Sequence, residues 1–108
     1  MFVEQRTYTL IPTANVSDYL RIYKDTGALA LQRKILGNLL GYYVTEFGML
    51  NTLVHLWGYS SLEERTRRRQ LLSQEPAWQD YLAQVRPMIQ QMENRIMVPT
   101  DFSPGGQP

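Results

Sequence analysis

Short segments in which apolar and polar residues alternate recur along this chain, and each of them predicts a β-strand. The first, FVEQRTYTL, is rich in Val, Thr and Tyr. Two more are NLLGYYVTE, from Asn38 to Glu46, and LNTLVHLWGYSS, from Leu50 to Ser61. The link FGM between them contains a glycine and predicts a hairpin. A last strand, NRIMV, stops at Pro99.

Apolar residues three or four positions apart predict helices in the intervening segments. Asn15, with Asp18 three residues later, is a candidate N-cap for a helix that begins near Val16. At Gly27 this helix either breaks or continues through good helix formers, and the sequence leaves both alternatives open. Gly37 is a natural end for the helical segment.

Two further helical segments precede the last strand. Ser61 and Glu64 have the spacing of a capping box for a helix from Leu62 to about Leu72. Pro76 is well placed to begin the second helix. Pro87 is expected to kink or restart that helix, which then continues through three apolar residues, Met88, Ile89 and Met92.

The predicted order of elements is therefore β, α, β, β, α, β. This order is typical of the ferredoxin-like split βαβ architecture, an α+β fold with a four-stranded antiparallel sheet. Both helical segments pack on one face of such a sheet, and the other face stays open. We predict one domain over residues 1–100 and a flexible C-terminal tail over residues 101–108, where Pro and Gly are frequent and no periodicity is visible.

The strand with the sequence TLVHLWGY has two sides, and only one of them can face the helices. One side carries a histidine and two aromatic rings, and its residues are Leu53, His55, Trp57 and Tyr59. Val54 and Leu56 on the other side suit packing under the helices, so we place the polar-tipped side on the open face. Large apolar patches are rarely left exposed in a monomer. We therefore predict a homodimer, or a higher oligomer, in which two sheets enclose a cavity around His55.

Composition narrows the class of protein. The chain has 108 residues, of which 44% are hydrophobic and 19% are charged, as is usual for a folded soluble domain. Its formal charge of +1 is too small to predict binding to nucleic acid. No apolar run approaches the roughly 20 residues of a membrane span, and the first residues do not resemble a signal peptide. The chain contains no cysteine, and a cytoplasmic location is expected.

Four segments resemble the NIPSNAP domain family: RTYTL, QRKILGNLLGYYVTEFG, LNTLVHLWGYSSLEERTRRR and EPAWQDYLAQVRPMIQQMENRIMVP. The resemblance extends from about Val3 to Pro99 and is most specific in HLW, with the Tyr59 and Ser61 that follow it, and in ENRIMVP. It implies a dimeric α+β barrel. Members with mitochondrial targeting segments look like scaffold or signalling proteins. Broader relatives of the barrel include cofactor-independent monooxygenases, lactone isomerases, dehalogenases and haem proteins, but none of these activities transfers from the fold alone.

His55 is the only histidine of the chain, and an ordinary pKa near neutrality makes it a candidate general base or proton shuttle. The alternative is a histidine that is hydrogen-bonded into an interface, since the sequence shows no carboxylate partner for it. A metal site would need ligands besides one histidine. No metal and no other cofactor is predicted.

Further candidates lie near His55 in the predicted sheet. Arg6 and Tyr8 share one side of the first strand, which is the neighbour of the strand with His55 in this topology. Arg6 either binds a carboxylate or another anion, or forms an ion pair with an acid such as Glu4. Asn51 either orients a ligand carbonyl or caps the hairpin. Three aromatic residues either stack on a planar ligand or simply pack, namely Tyr42, Trp57 and Tyr59.

The most conspicuous charge cluster comprises four arginines: Arg65, Arg67, Arg68 and Arg69. Helical geometry distributes them around the helix axis, and Glu63 and Glu64 precede them. The pattern therefore favours a solvated face with ion pairs such as Glu63–Arg67 and Glu64–Arg68 over a site for phosphate or nucleic acid.

Taken together, these features predict a homodimeric domain that binds a small, partly aromatic or carboxylated ligand in a cavity between the sheets. Two alternatives remain open. One is a cofactor-independent monooxygenase or isomerase in which His55 moves a proton while Arg6, Tyr8 and Asn51 orient the substrate. The other is a protein-binding adaptor that uses the outer helices. The sequence does not decide whether the protein is an enzyme.

Overall fold

The structure is a computed structural model that describes residues 1–104. Its elements follow one another as β1 (Phe2–Leu10), α1 (Val16–Asp25), α2 (Ala28–Leu36), β2 (Asn38–Val44), β3 (Thr52–Tyr59), α3 (Leu62–Ser73), α4 (Pro76–Val85), a 3₁₀ turn (Arg86–Met88) and β4 (Ile89–Met97). The strands form one antiparallel sheet in the order β2-β3-β1-β4, and the helices pack on one of its faces. The predicted ferredoxin-like α+β fold is confirmed.

The C-terminal tail that the sequence predicts is only partly described. Residues 98–104 follow β4 without a further helix or strand, and residues 105–108 lie outside the described part of the chain. The flexibility of residues 101–108 and the domain end at residue 100 therefore stay predictions. Within residues 1–104, no helix is long and apolar enough to cross a membrane.

The first and third helices begin where the local sequence predicts. The Asn15 side chain accepts a hydrogen bond from the backbone N–H of Asp18 at 2.8 Å, and the Ser61 side chain accepts one from Glu64 at 3.0 Å. Both predicted N-caps are confirmed. Gly27 has a φ of 84°, in the left-handed region that glycine adopts at no steric cost, and it separates α1 from α2. Of the two alternatives for this segment, the break at Gly27 is right.

The segment after Pro87 corrects the prediction of a helix that continues to Met92. α4 ends at Val85, and the chain enters β4 at Ile89 after the 3₁₀ turn. Met92 lies on this strand and is paired with Tyr8 of β1. The apolar spacing of the segment fits a helix as well as a strand. Only the strand provides hydrogen-bond partners for the edge of β1 that β3 leaves unpaired.

The side of β3 that faces the helices is the opposite of the predicted one. Four side chains lie under the helices with exposed fractions of 0 to 3%, namely Leu53, His55, Trp57 and Tyr59. The prediction that His55 lies on the open face, enclosed between two sheets, is therefore wrong. Burial of the Trp57 and Tyr59 rings removes more apolar surface from water than burial of Val54 and Leu56 would. The aromatic side thus takes the covered position.

The opposite face of the sheet carries the residues that alternate with the buried ones. Gln5 and Thr7 of β1 lie there beside Val54 and Leu56 of β3. This face also contains a shallow groove, the open-face groove. Sheet residues and the C-terminal segment 98–104 line it together, and the sheet residues are Val3, Leu40, Tyr43, Leu56 and Met97.

Candidate functional site

A cavity of about 90 Å³ lies between the sheet and the helices of a single chain. Every strand and every helix contributes a residue to this helix-side cavity, and its wall includes five tyrosines, three arginines, one histidine, one glutamine and one tryptophan. Within the described part of the chain, no aspartate or glutamate lines it. The wall residues Arg86 and Met92 are exposed, so the cavity meets the surface at the start of β4.

His55 of β3 presents a hydrogen-bond donor to this cavity. Its Nδ1 accepts a hydrogen bond of 2.7 Å from the indole Nε1 of Trp57, two residues further along the strand. A neutral imidazole that accepts at Nδ1 carries its hydrogen on Nε2. The Nε2 atom is buried and has no hydrogen-bond partner among residues 1–104. His55 therefore holds an N–H at the cavity wall that is free to donate.

Aromatic rings on the neighbouring strands hold the imidazole in place. Tyr42 of β2 stacks on His55 with ring centroids 4.5 Å apart and an interplanar angle of 16°. Tyr8 of β1 meets the same ring edge-on at 5.1 Å. Tyr42 is the register partner of His55. Tyr8 is the register partner of Leu53, which precedes His55 by two residues on β3 and lies on the same side of the sheet. The sheet register thus brings these three rings together.

The imidazole is neutral at pH 7. Burial lowers the pKa of His55, the positive charges of Arg6 and Arg69 lower it further, and Glu4 opposes them only weakly, so the pKa lies at about 3. A neutral ring retains the Nε2–H that the bond to Trp57 selects.

Glu4 of β1 is fully buried, and its negative charge compensates the positive charge of the arginines beside the cavity. Its carboxylate accepts two hydrogen bonds from Arg65 at 3.0 and 2.7 Å and one each from Arg6 and Asn94 at 3.0 and 2.9 Å. Burial alone would raise the pKa of Glu4. The hydrogen bonds from Arg65 and Asn94 and the charges of Arg6 and Arg65 outweigh burial and lower the pKa to about 2. Glu4 is therefore ionised at pH 7.

Arg6 forms the ion pair with Glu4 that the sequence offered as one of two alternatives, and its binding of a ligand anion stays a prediction. Its guanidinium forms the ion pair with Glu4 and also donates to the Tyr8 hydroxyl at 2.7 Å. Arg6 and Tyr8 both line the cavity as well. Because the Tyr8 oxygen accepts from Arg6, the hydroxyl hydrogen of Tyr8 is available for an acceptor in the cavity.

The arginine cluster of α3 is not the uniformly solvated face that was predicted. Arg68 pairs with Glu64 at 2.7 Å as predicted, whereas Arg67 pairs with Glu64 at 2.6 Å instead of with Glu63. Arg65 instead reaches the buried Glu4, and Arg69 enters the cavity wall. Arg65 and Arg69 are four residues apart, and Leu72, one turn further along the helix, is buried. This i, i+4, i+7 spacing was the available signal that one side of the cluster faces inward.

Arg69 is the second unpaired donor at the cavity. Its Nη1 is buried and has no hydrogen-bond partner among residues 1–104. The guanidinium lies beside the Tyr59 hydroxyl, where burial raises the pKa of Tyr59 and the charge of Arg69 opposes that rise. A cationic side chain that is incompletely paired in an aromatic cavity is costly, so it marks a position where an acceptor is favoured.

The remaining sequence candidates fall into two groups. Tyr42 lines the cavity, whereas Trp57 stands behind His55 and Tyr59 lies outside the wall. Asn51 does not line this cavity, and its contact with a ligand stays a prediction. It has a φ of 60°, and its side-chain amide donates to the carbonyls of Ile11 and Ala14 at 3.1 and 2.9 Å. Asn51 thus ties down the loop after β1.

Sequence reasoning missed the polar and aromatic wall residues that α1, α2, α4 and the 3₁₀ turn supply: Tyr19, Tyr23, Gln32, Trp78, Tyr81 and Arg86. The Tyr23 hydroxyl donates to the Gln32 side-chain carbonyl, which joins α1 to α2 across the cavity roof. Burial raises the pKa of Tyr19 to about 12 and raises the pKa of Tyr23 above its ordinary value too. The phenols are therefore neutral donors at pH 7. The i, i+4 spacing of the two tyrosines on α1 was the signal for a shared inward face.

Comparison with known proteins identifies the family. NipSnap of Drosophila melanogaster is 29% identical over 102 residues, which are 94% of this chain and 36% of that protein. The chain spans about a third of the length of the curated relatives that it matches.

Solved structures agree with the sequence match. The crystal structure of a NIPSNAP family protein from Agrobacterium tumefaciens superposes with a TM-score of 0.90 at 41% identity and covers 96% of this chain and 97% of that one. An antibiotic biosynthesis monooxygenase superposes with a TM-score of 0.61 at 10% identity over 93% of this chain and 99% of that one, a likeness that shows the fold alone. The NIPSNAP profile matches residues 3–104, which confirms the resemblance seen in the sequence, and the chain belongs to the NIPSNAP family.

Proposed function

We propose that this domain binds a small organic molecule in the helix-side cavity. The observation that carries the proposal is the Nε2–H of His55, a buried donor at the cavity wall without a partner among residues 1–104. A buried donor without a partner costs about 1–3 kcal/mol, and a ligand with an acceptor atom offsets that cost. The proposed site thus lies inside one chain and not between two sheets.

The walls support a ligand with a planar body. Tyr23 and Tyr42 pack against each other with centroids 5.4 Å apart, and Tyr81 contacts Tyr23 at 5.7 Å. Such rings offer flat apolar surfaces, while the few polar groups among them orient a ligand. Trp57 and Tyr42 hold His55 in place, so the site is formed before any ligand arrives.

His55 is proposed as a positioning donor and not as the proton-transfer residue of a monooxygenase or isomerase. A general base needs a free nitrogen lone pair, yet Nδ1 already accepts from Trp57 and Nε2 carries the hydrogen. Protonation at either nitrogen would also place a charge among Arg6 and Arg69. Binding is therefore favoured over base catalysis at this histidine.

We propose further that a second copy of the chain covers the open-face groove. Its sheet residues are mostly apolar, and the exposed Val98 of the C-terminal segment extends them. Apolar sheet faces of this kind are normally covered in soluble proteins. Packing two such faces about a two-fold axis would bury the groove in both copies. The homodimer thus keeps its place in the proposal, but without His55 at its interface.

Intrinsic fluorescence tests the binding proposal, because both tryptophans of the chain lie at the site. Trp78 is part of the cavity wall, and Trp57 contacts His55. We expect a saturable fluorescence change with at least one member of a panel of small aromatic acids, phenols and amides. Native mass spectrometry of the purified protein checks for a small molecule that is already bound.

A matched pair of variants connects any signal with the cavity. Leu82→Phe enlarges a partly buried side chain on the cavity wall, and we expect it to weaken binding at least tenfold. Leu71→Phe makes the same change at an exposed position of α3 and is expected to bind like the wild type. If no panel member changes the fluorescence and no bound molecule is found, the proposal is refuted. Equal loss in both variants would place the ligand elsewhere.

A further inference from the structure

We infer that the ligand of the helix-side cavity is a small organic carboxylate, held between Arg69 and the Nε2–H of His55. This inference rests on the proposed function and specifies the chemistry of the ligand. It has two independent supports, which are the charge of the cavity wall and the two buried donors on that wall that lack partners. A third buried polar atom without a partner among residues 1–104, the Tyr59 hydroxyl oxygen, lies outside the wall.

The charge of the wall favours an anion. Three arginines line the cavity, and no acidic residue does so among residues 1–104. The nearby carboxylate of Glu4 is occupied by Arg6 and Arg65 and makes no hydrogen bond to Arg69. Among residues 1–104, Arg69 and Arg86 line the cavity without an acidic partner, and of these two only Arg69 has a buried, unpaired N–H, because Arg86 is exposed. Charged groups in such surroundings are normally paired, which an anionic ligand would achieve.

The donors favour a carboxylate among the possible anions. Arg69 on α3 and His55 on β3 each have one unpaired N–H, and a carboxylate offers one oxygen to each of them. Only one of the two donors is charged, because the imidazole is neutral. A phosphate dianion would carry more charge than this pair compensates. The cavity of about 90 Å³ limits the enclosed part of the ligand to a small group, and the remainder can extend through the opening at Arg86 and Met92.

Arg69 also allows a binding role to be separated from a structural one. When a side chain that stabilises the fold is replaced, the protein loses stability. An arginine with an unpaired buried Nη1 is instead unfavourable in the free protein. Arg69→Gln is therefore expected to leave the melting temperature of the free protein unchanged or to raise it, while it weakens binding of the anion.

The experiment compares benzoate with its neutral analogue benzamide by tryptophan fluorescence at pH 7. In the wild type we expect benzoate to bind at least tenfold more tightly than benzamide. Arg69→Gln should reduce the affinity for benzoate at least tenfold and change the affinity for benzamide little. The matched control is Arg67→Gln, which removes the same charge from an exposed position on the same helix. This control should bind benzoate like the wild type.

A measurement on the unaltered chain keeps the test decisive if Arg69→Gln fails to fold. The chain has a single histidine, so ¹⁵N-labelled histidine gives one set of ring signals. Benzoate should shift the His55 Nε2–H signal downfield, as a charge-assisted hydrogen bond does. Equal affinities for benzoate and benzamide, or an unshifted Nε2–H signal at saturation, would overturn the inference and leave the proposed cavity intact. No binding by any panel compound would instead refute the proposed function itself.

Discussion

The indole N–H of Trp57 donates to Nδ1 of His55 over 2.7 Å, and both side chains are buried under the helices. This bond places the imidazole hydrogen on Nε2, at the wall of the helix-side cavity. The contact between two residues at i and i+2 of one strand thus determines which ring nitrogen can donate a hydrogen bond to a ligand.

Trp57→Phe should remove the preference of His55 for the Nε2–H tautomer. The substitution leaves Nδ1 of His55 buried without its donor, so we expect a loss of about 1–3 kcal/mol in the free energy of unfolding. The ¹⁵N signals of His55 should change from a single Nε2–H form to a mixture of tautomers. Trp78→Phe serves as the control, because Trp78 lines the same cavity but does not donate to His55. A pure Nε2–H form in Trp57→Phe would show that the indole does not select the tautomer.

The free energy of unfolding should decrease as the pH falls through the range in which His55 is protonated in the unfolded chain but not in the fold. The pKa of His55 falls from 6.5 in the unfolded chain to about 3 in the fold, so the unfolded state binds the proton more readily. The stabilisation is fully present above pH 6.5 and is lost as the pH falls toward 3, with a decrease of about 2 kcal/mol by pH 5. Burial and the charges of Arg6, Arg69 and Glu4 set this pKa, and the rings of Tyr8 and Tyr42 face the imidazole. Urea denaturation at a series of pH values measures the effect. A free energy of unfolding that stays constant between pH 7 and 5 would contradict it.

Glu4→Gln should destabilise the fold strongly at pH 7. The substitution removes the carboxylate that pairs with both Arg6 and Arg65, and breaking a buried ion pair from one side costs about 3–5 kcal/mol. Glu63→Gln is the control, because Glu63 is an exposed acid at the start of α3. Thermal and urea unfolding compare the two variants.

We expect the protonation of Glu4 to cause a second loss of stability in the wild type, at lower pH than that caused by His55. The pKa of Glu4 is lowered from 4.5 to about 2, so its contribution is present above pH 4.5 and is lost as the pH falls toward 2. Glu4→Gln should lack this part of the acid unfolding. A variant that unfolds in acid like the wild type would mean that the Glu4 pairs add no stability.

A charge on the open-face groove should separate the proposed homodimer. Leu56 lies on this groove, and Leu56→Arg would bury an unpaired charge in a sheet-to-sheet interface. Leu71→Arg places the same charge on the exposed side of α3 and should leave the dimer intact. Sedimentation equilibrium at micromolar concentration gives the mass of each form. A wild-type chain that sediments as a monomer would remove the homodimer from the proposal.

Local sequence determined those features of the protein that depend on neighbouring residues alone. The caps at Asn15 and Ser61 follow from side chains that bond three residues ahead, and the break at Gly27 follows from a backbone conformation that glycine accepts. The strand and helix order, and with it the α+β fold, could be predicted for the same reason.

Only the tertiary structure decided which residues form the site. A period of two separates His55 and Trp57 from Val54 and Leu56, but both sets are apolar enough to be covered, so the sequence alone does not say which set the helices cover. Likewise, Arg65 is drawn inward by Glu4, which lies 61 positions earlier in the chain. Alternation and helical spacing are properties of adjacent residues, whereas burial and charge compensation depend on partners that folding brings together from distant positions.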